Sequence, residues 1–186
     1  MNAPPAPYTA VAIALHWLMA LLLVGMLAVG FYMVDLPVSP WKLKIYSWHK
    51  WTGVTLFVLV SVRLVWRLSH RPPDLPRTMS ALARLVTHSG HWLLYGLMFA
   101  IPVSGWLMSS AKGFQTVYLG VLPIPDLVGK NKVLGDLLLR VHQTLNLLFV
   151  ATLLCHVGMV LKGHWVDKRP ILRRMLPRRG WGRSAR

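Results

Sequence analysis

The chain has 186 residues, enough for one domain, and is 55% hydrophobic with only 14% charged residues. Its mean hydropathy is +0.49, yet its net charge is +16, from 21 Lys and Arg against five Asp. Soluble domains carry about 25% charged residues, so a water-soluble fold is excluded, disorder is excluded by the hydrophobicity, and the oil and the charge must be segregated, as in a membrane protein with basic loops.

The first apolar segment, 11–34, contains no Lys, Arg, Asp or Glu. It exceeds the about 7–15 apolar residues of a cleaved signal peptide and no basic residue precedes it, so it is expected to remain as a helix. The stretch Leu36-Pro37-Val38-Ser39-Pro40 breaks it. A second span is predicted over 48–68, with Arg63 and Arg67 snorkelling at the membrane edge. Arg71-Pro72-Pro73-Asp74 ends it, and a third span over 88–111 carries Pro102, a kink that membrane helices tolerate. A loop containing Gly and Pro covers 113–129, and a fourth span covers 139–162. Spans of ~20 residues cross a bilayer. The expected fold is therefore all-α, an integral membrane four-helix bundle, with residues 1–186 forming a single transmembrane domain.

Lys and Arg set its orientation. Arg63, Arg67, Arg71, Arg77 and Arg84 lie around the second connection, and nine more follow from Lys162 on. The opposite loops hold seven: Lys42, Lys44, Lys50, Lys112, Lys130, Lys132 and Arg140. Fourteen against seven predicts both termini cytoplasmic. The basic C-terminal run suits anionic lipid. A nucleic-acid site is not expected, because such a protein would interleave its charge with its apolar residues.

Cys155 is the only cysteine, which excludes a disulfide within the chain, a thiolate zinc site and an iron–sulfur cluster. No Cys-x-x-Cys-His occurs, so covalent haem attachment is excluded too. Any metal or haem must be held by the eight histidines. His142 and His156 are fourteen residues apart, about 40° short of four helical turns and ~21 Å along the axis. They share a face of the fourth span, and each has a partner at matching depth: His49 near the outer surface, His16 near the inner one. Two stacked bis-histidine pairs would form a two-haem wire. Taken singly, each histidine could equally be hydrogen-bonded to a neighbouring helix. His88 and His91 lie at the inner depth and compete with His16.

The chain also resembles the bacterial cytochrome b561 family over nearly its whole length. The resemblance rests on His16-Trp17, His49 with Gly53, Val62-Arg63-Leu64 with Arg67-Leu68, and His88-x-x-His91 followed by Tyr95. It continues through Ile101-Pro102-Val103-Ser104-Gly105-Trp106, His142-Gln143-Thr144-Leu145, His156 and Leu172-Arg173-Arg174-Met175-Leu176-Pro177. The resemblance implies two b haems, with His16 and His156 ligating the inner one and His49 and His142 the outer one. Gly163-His164 departs from the adjacent histidine pair common in the family, at the side where its quinone chemistry would sit.

Six-coordinate haem iron leaves no open position, so the haems should only pass electrons. Ubiquinone in the membrane is the natural acceptor, with His164, Trp165 and His88 as candidate contacts. The outer loops carry seven cations against Asp35, Asp126 and Asp136, a field that would steer a small anion. Some members of the family act as superoxide:ubiquinone oxidoreductases, which fits such a surface. The alternative is a cytochrome b subunit docking a periplasmic redox protein. A cation or proton transporter is disfavoured by the lack of Asp and Glu within the four spans.

Overall fold

A computed structural model of the chain describes residues 8–76, 79–168 and 171–176. Arg77, Arg169, Pro177 and the basic residues beyond lie outside them. Four helices dominate: α1 (Ala10–Asp35), α2 (Pro40–Ser69), α3 (Ala81–Ala111) and α4 (Lys132–Leu161). All four are long and apolar enough to cross a membrane.

Each helix starts at a residue chosen for capping. Thr9, Ser39, Ser80 and Asn131 accept from the backbone N–H three residues on, satisfying a donor that the first turn leaves orphaned. Pro40 follows Ser39 at the first helical position, where its missing N–H is harmless. These caps explain why α2, α3 and α4 begin about seven or eight residues before the predicted spans. Charge marks where a helix leaves the membrane, whereas the cap marks where the helix starts.

The close helix pairs are α3–α4, α1–α2 and α2–α3. The pairs α1–α4 and α2–α4 are not among them. Met19, Leu56, Val60 and Tyr95 form one buried cluster joining α1, α2 and α3. Leu94, Leu97 and Phe149 form a second, joining α3 and α4.

The bundle has two unlike ends. At one, here the hairpin pole, the loop after α3 forms a small antiparallel sheet of β1 (Val117–Tyr118) and β2 (Leu122–Pro123). Its turn holds Leu119 and Gly120 at φ of +52° and +77°, the left-handed pair that matches strand twist. Trp51 donates to the Val117 carbonyl (2.6 Å), Thr55 bonds the Tyr118 hydroxyl (3.0 Å), and Trp106 donates to the Pro125 carbonyl (3.0 Å). These ties to α2 and α3 make the segment predicted as a plain loop an ordered cover.

At the other end, the terminal pole, α4 runs into a π-helical turn (Lys162–Val166), and a 3-10 turn (Leu172–Met175) returns to α1. Trp17 donates to the Met175 carbonyl (2.6 Å), and the Arg174 guanidinium lies over the Tyr8 ring. Arg63 and Arg67, expected at the membrane edge, have partners on α3. Arg63 Nε–H donates to the buried Tyr95 hydroxyl (3.1 Å), and Arg67 sits over the Trp92 and Tyr95 rings (5.6 and 5.7 Å). Aromatic and hydroxyl groups on α3 thus give these cations partners.

Several hairpin-pole cations are structural. The Lys42 ammonium donates to the Val34 and Leu36 carbonyls at the end of α1, where a cation also complements the helix dipole. Lys50 donates to the Phe114 carbonyl (2.9 Å), and Lys112 and Lys132 both pair with Asp136 (3.2 and 3.0 Å). Lys42→Gln should therefore cost about 0.5–1 kcal/mol, read as a lower thermal unfolding midpoint in detergent. Lys44→Gln, which loses only an ammonium 5.2 Å from the Trp48 ring, should cost less.

Candidate functional site

The helices bring eight positions into two levels. On every helix the two site positions are fourteen residues apart: 16 and 30, 49 and 63, 91 and 105, 142 and 156. That spacing returns each helix to nearly the same face ~21 Å further along. Because neighbours run antiparallel, His16, Arg63, His91 and His156 gather at the terminal pole. Gly30, His49, Gly105 and His142 gather at the hairpin pole.

His16 and His156 have ring centroids 6.4 Å apart, with ring planes at 63°. His49 and His142 are also 6.4 Å apart, at 77°. A metal–imidazole bond is ~2.0 Å and the ring centre lies roughly 1.1 Å beyond the nitrogen, so two imidazoles on opposite sides of one metal have centroids about 6.2 Å apart. Both pairs match that separation. His91 is 5.3 Å from His156, too close for the two to face each other across a metal. Among the described residues no three His, Cys, Asp or Glu side chains converge as ligands of one ion. Each pair could thus supply two imidazoles to a group that brings its remaining ligands with it.

There is room for such a group. α4 stands off from α1 and α2, the helices carrying its histidine partners. Gly30 and Gly105 flank the hairpin-pole rings: an added Cβ would lie 3.6 Å from His49 Cε1 and 3.2 Å from His142 Cε1. A side chain at Gly105 would crowd the ring, which gives this glycine a local reason.

The His142 ring is held from behind. Its Nδ1–H is shared between the Ile101 carbonyl (3.0 Å) and Ser104 Oγ (2.9 Å), while the Ser104 hydroxyl donates to the same carbonyl (2.7 Å). Donation from Nδ1 fixes the tautomer and leaves Nε2 its lone pair, as metal-binding histidines require. His49 Nδ1 is buried with no partner among the described residues, the unsatisfied atom expected where a group is to be held. His91 Nδ1–H donates to the Thr87 carbonyl (2.7 Å) within its own helix.

The candidate quinone residues are less gathered. His164 and Trp165 lie in the π-helical turn with ring centroids 6.4 Å apart, and His164 Nδ1 is buried without a partner. His88 is exposed on α3 and shares no hydrogen bond or ring contact with either among the described residues. Sequence reasoning missed Ser104 as a support for His142, and it missed the inward turn of Arg63. The fourteen-residue interval from His49 to Arg63 was the available signal for the latter.

The comparisons with known proteins show the family. The family model described as "Prokaryotic cytochrome b561" matches residues 7–178. The chain is 34% identical over 173 residues to "Cytochrome b561 homolog 2" of Escherichia coli (strain K12), covering 92% of each chain. It is 27% identical over 179 residues to "Probable superoxide oxidase CybB" of Yersinia pestis, covering 92% of this chain and 97% of that one. "Cytochrome b561 homolog 1" of Escherichia coli (strain K12) is 25% identical over 131 residues, 70% of this chain and 74% of the relative. The chain is a multi-pass bacterial membrane protein for electron transfer that uses b-type haem, and it belongs to the prokaryotic cytochrome b561 family.

Proposed function

We propose that the protein carries two b haems, axially held by His16 with His156 and by His49 with His142, and passes electrons across the inner membrane to quinone. The observation that carries this reading is the pair of equal 6.4 Å histidine separations, set ~21 Å apart along α4 by its fourteen-residue spacing. When bound, a haem at each pair would supply a one-electron couple. The chain's own residues do the rest. His142 presents Nε2 because Ile101 and Ser104 occupy Nδ1–H. Gly30 and Gly105 keep the ring edges clear. The two apolar clusters lie between the poles and exclude water.

With both termini cytoplasmic, as the Lys/Arg count favours, the terminal pole is the inner one. Ubiquinone is then the acceptor near His164 and Trp165, with His88 one turn from His91 at the same depth. The donor acts at the hairpin pole, where seven cations face three Asp. That surplus favours a small anion, and superoxide is the donor we propose, making the protein a superoxide:ubiquinone oxidoreductase. The relative named as a probable superoxide oxidase supports the same direction. A docked periplasmic redox protein is the alternative, and a polypeptide that co-purifies from native membranes would favour it.

Two experiments test this reading. His49→Ala or His142→Ala should remove one haem and leave the other, counted by pyridine haemochrome; two haems in His49→Ala would refute the pairing. His16→Ala should remove the other haem and abolish quinone reduction, whereas His91→Ala should keep both haems. For the donor, Lys44→Gln with Lys130→Gln removes two cations that carry no backbone cap. The bimolecular rate with superoxide, followed by stopped flow, should fall severalfold and lose part of its salt dependence, because fields act over ~8 Å at 0.15 M salt. Reduction by a neutral dye should be unchanged. A rate equal to wild type at low salt would instead support the docking alternative.

A further inference from the structure

The two poles differ in charge. Arg63, half-buried near the end of α2, is in electrostatic range of His16, His91 and His156. Its Nε–H donates to Tyr95, which is 5% exposed, and Arg67 one turn on covers the same ring. No carboxylate pairs with either arginine among the described residues. At the hairpin pole, among the described residues, no cation acts on His49 or His142 in the same way. Lys50, next to His49 in sequence, turns its ammonium to the Phe114 carbonyl and within range of Asp126.

An unpaired cation inside a membrane protein is costly to keep and marks a functional site by default. Adding an electron to a site makes it one charge more negative, and a nearby cation favours that state most where the dielectric is low. We infer that Arg63 raises the reduction potential of the His16/His156 site above that of the His49/His142 site, and so directs electrons from the hairpin pole to the terminal pole. This rests on the two-haem reading above. One electron is given up at the His49/His142 site and one is gained at the His16/His156 site, with no bond made or broken. Arg63 acts through charge and touches no reacting atom, so it is a positioning residue.

The test is an optical redox titration of the purified haem-loaded protein. His49→Ala, which retains only the terminal-pole site, identifies which wild-type component belongs to which pole. In that background Arg63→Gln should lower the midpoint by about tenfold in the reduction equilibrium, ~59 mV for a one-electron couple. Arg63→Lys, which keeps the charge, should recover at least half of that shift. In His16→Ala, which retains only the hairpin-pole site, Arg63→Gln should leave the midpoint unchanged. An unchanged midpoint in the His49→Ala background would overturn the proposal. So would a wild-type titration in which the terminal-pole component is the lower one, and that outcome needs no Arg63 variant to fold. A haem count made first separates the two readings. Fewer than two haems per wild-type chain overturns the two-haem reading, whereas two haems with an unmoved midpoint overturns only the role of Arg63.

Discussion

The fourteen-residue interval is the constraint on which the rest of this structure depends. An α-helix returns to nearly the same face after fourteen residues, ~21 Å along its axis. A bundle of four antiparallel helices with that interval presents one residue per helix at each of two levels. Here the interval holds on all four: His16 and Gly30, His49 and Arg63, His91 and Gly105, His142 and His156. Only α4 carries a histidine at both levels, so it is the shared rail. α1 and α2 each complete one pair and contribute a glycine or an arginine at the other level.

Packing follows from that division of roles. α4 is packed on α3 but stands off from α1 and α2, leaving 6.4 Å between ring centroids in both pairs. Direct packing is concentrated elsewhere, in the clusters around Val60 and Phe149. α3 works from behind the hairpin-pole pair, where Ile101 and Ser104 fix the His142 ring and Gly105 leaves it space. Pro102, which has no backbone N–H to give the helix, lies inside this same turn that supports a histidine. Helix irregularities in membrane proteins are tolerated where neighbouring groups compensate.

Much of this was legible in the sequence. The four spans follow from runs without charge, and the histidine pairs follow from spacing plus depth. The helix starts were not legible in the apolar runs, because apolar content reports the membrane, whereas Ser39, Ser80 and Asn131 start helices outside those runs. Arg63 and Arg67 were expected at the membrane edge because charges at the end of an apolar run usually reach toward water. Their partners, Tyr95 and Trp92, sit on another helix, and only tertiary contact shows it. The role of Lys42 was hidden in the same way, since its carbonyl partners belong to the preceding helix. The hairpin of β1 and β2 is two residues per strand, too short for any period to be read.

The central claim is that four histidines hold two haems, each closed by two imidazoles. It is tested most directly by the ratio of haem to polypeptide in the purified wild-type protein, taken together with its reduced visible spectrum. The account predicts two haems per chain and low-spin b-type bands with no change on adding carbon monoxide, because no iron position is open. One haem per chain, or a spectrum that carbon monoxide alters, would contradict it.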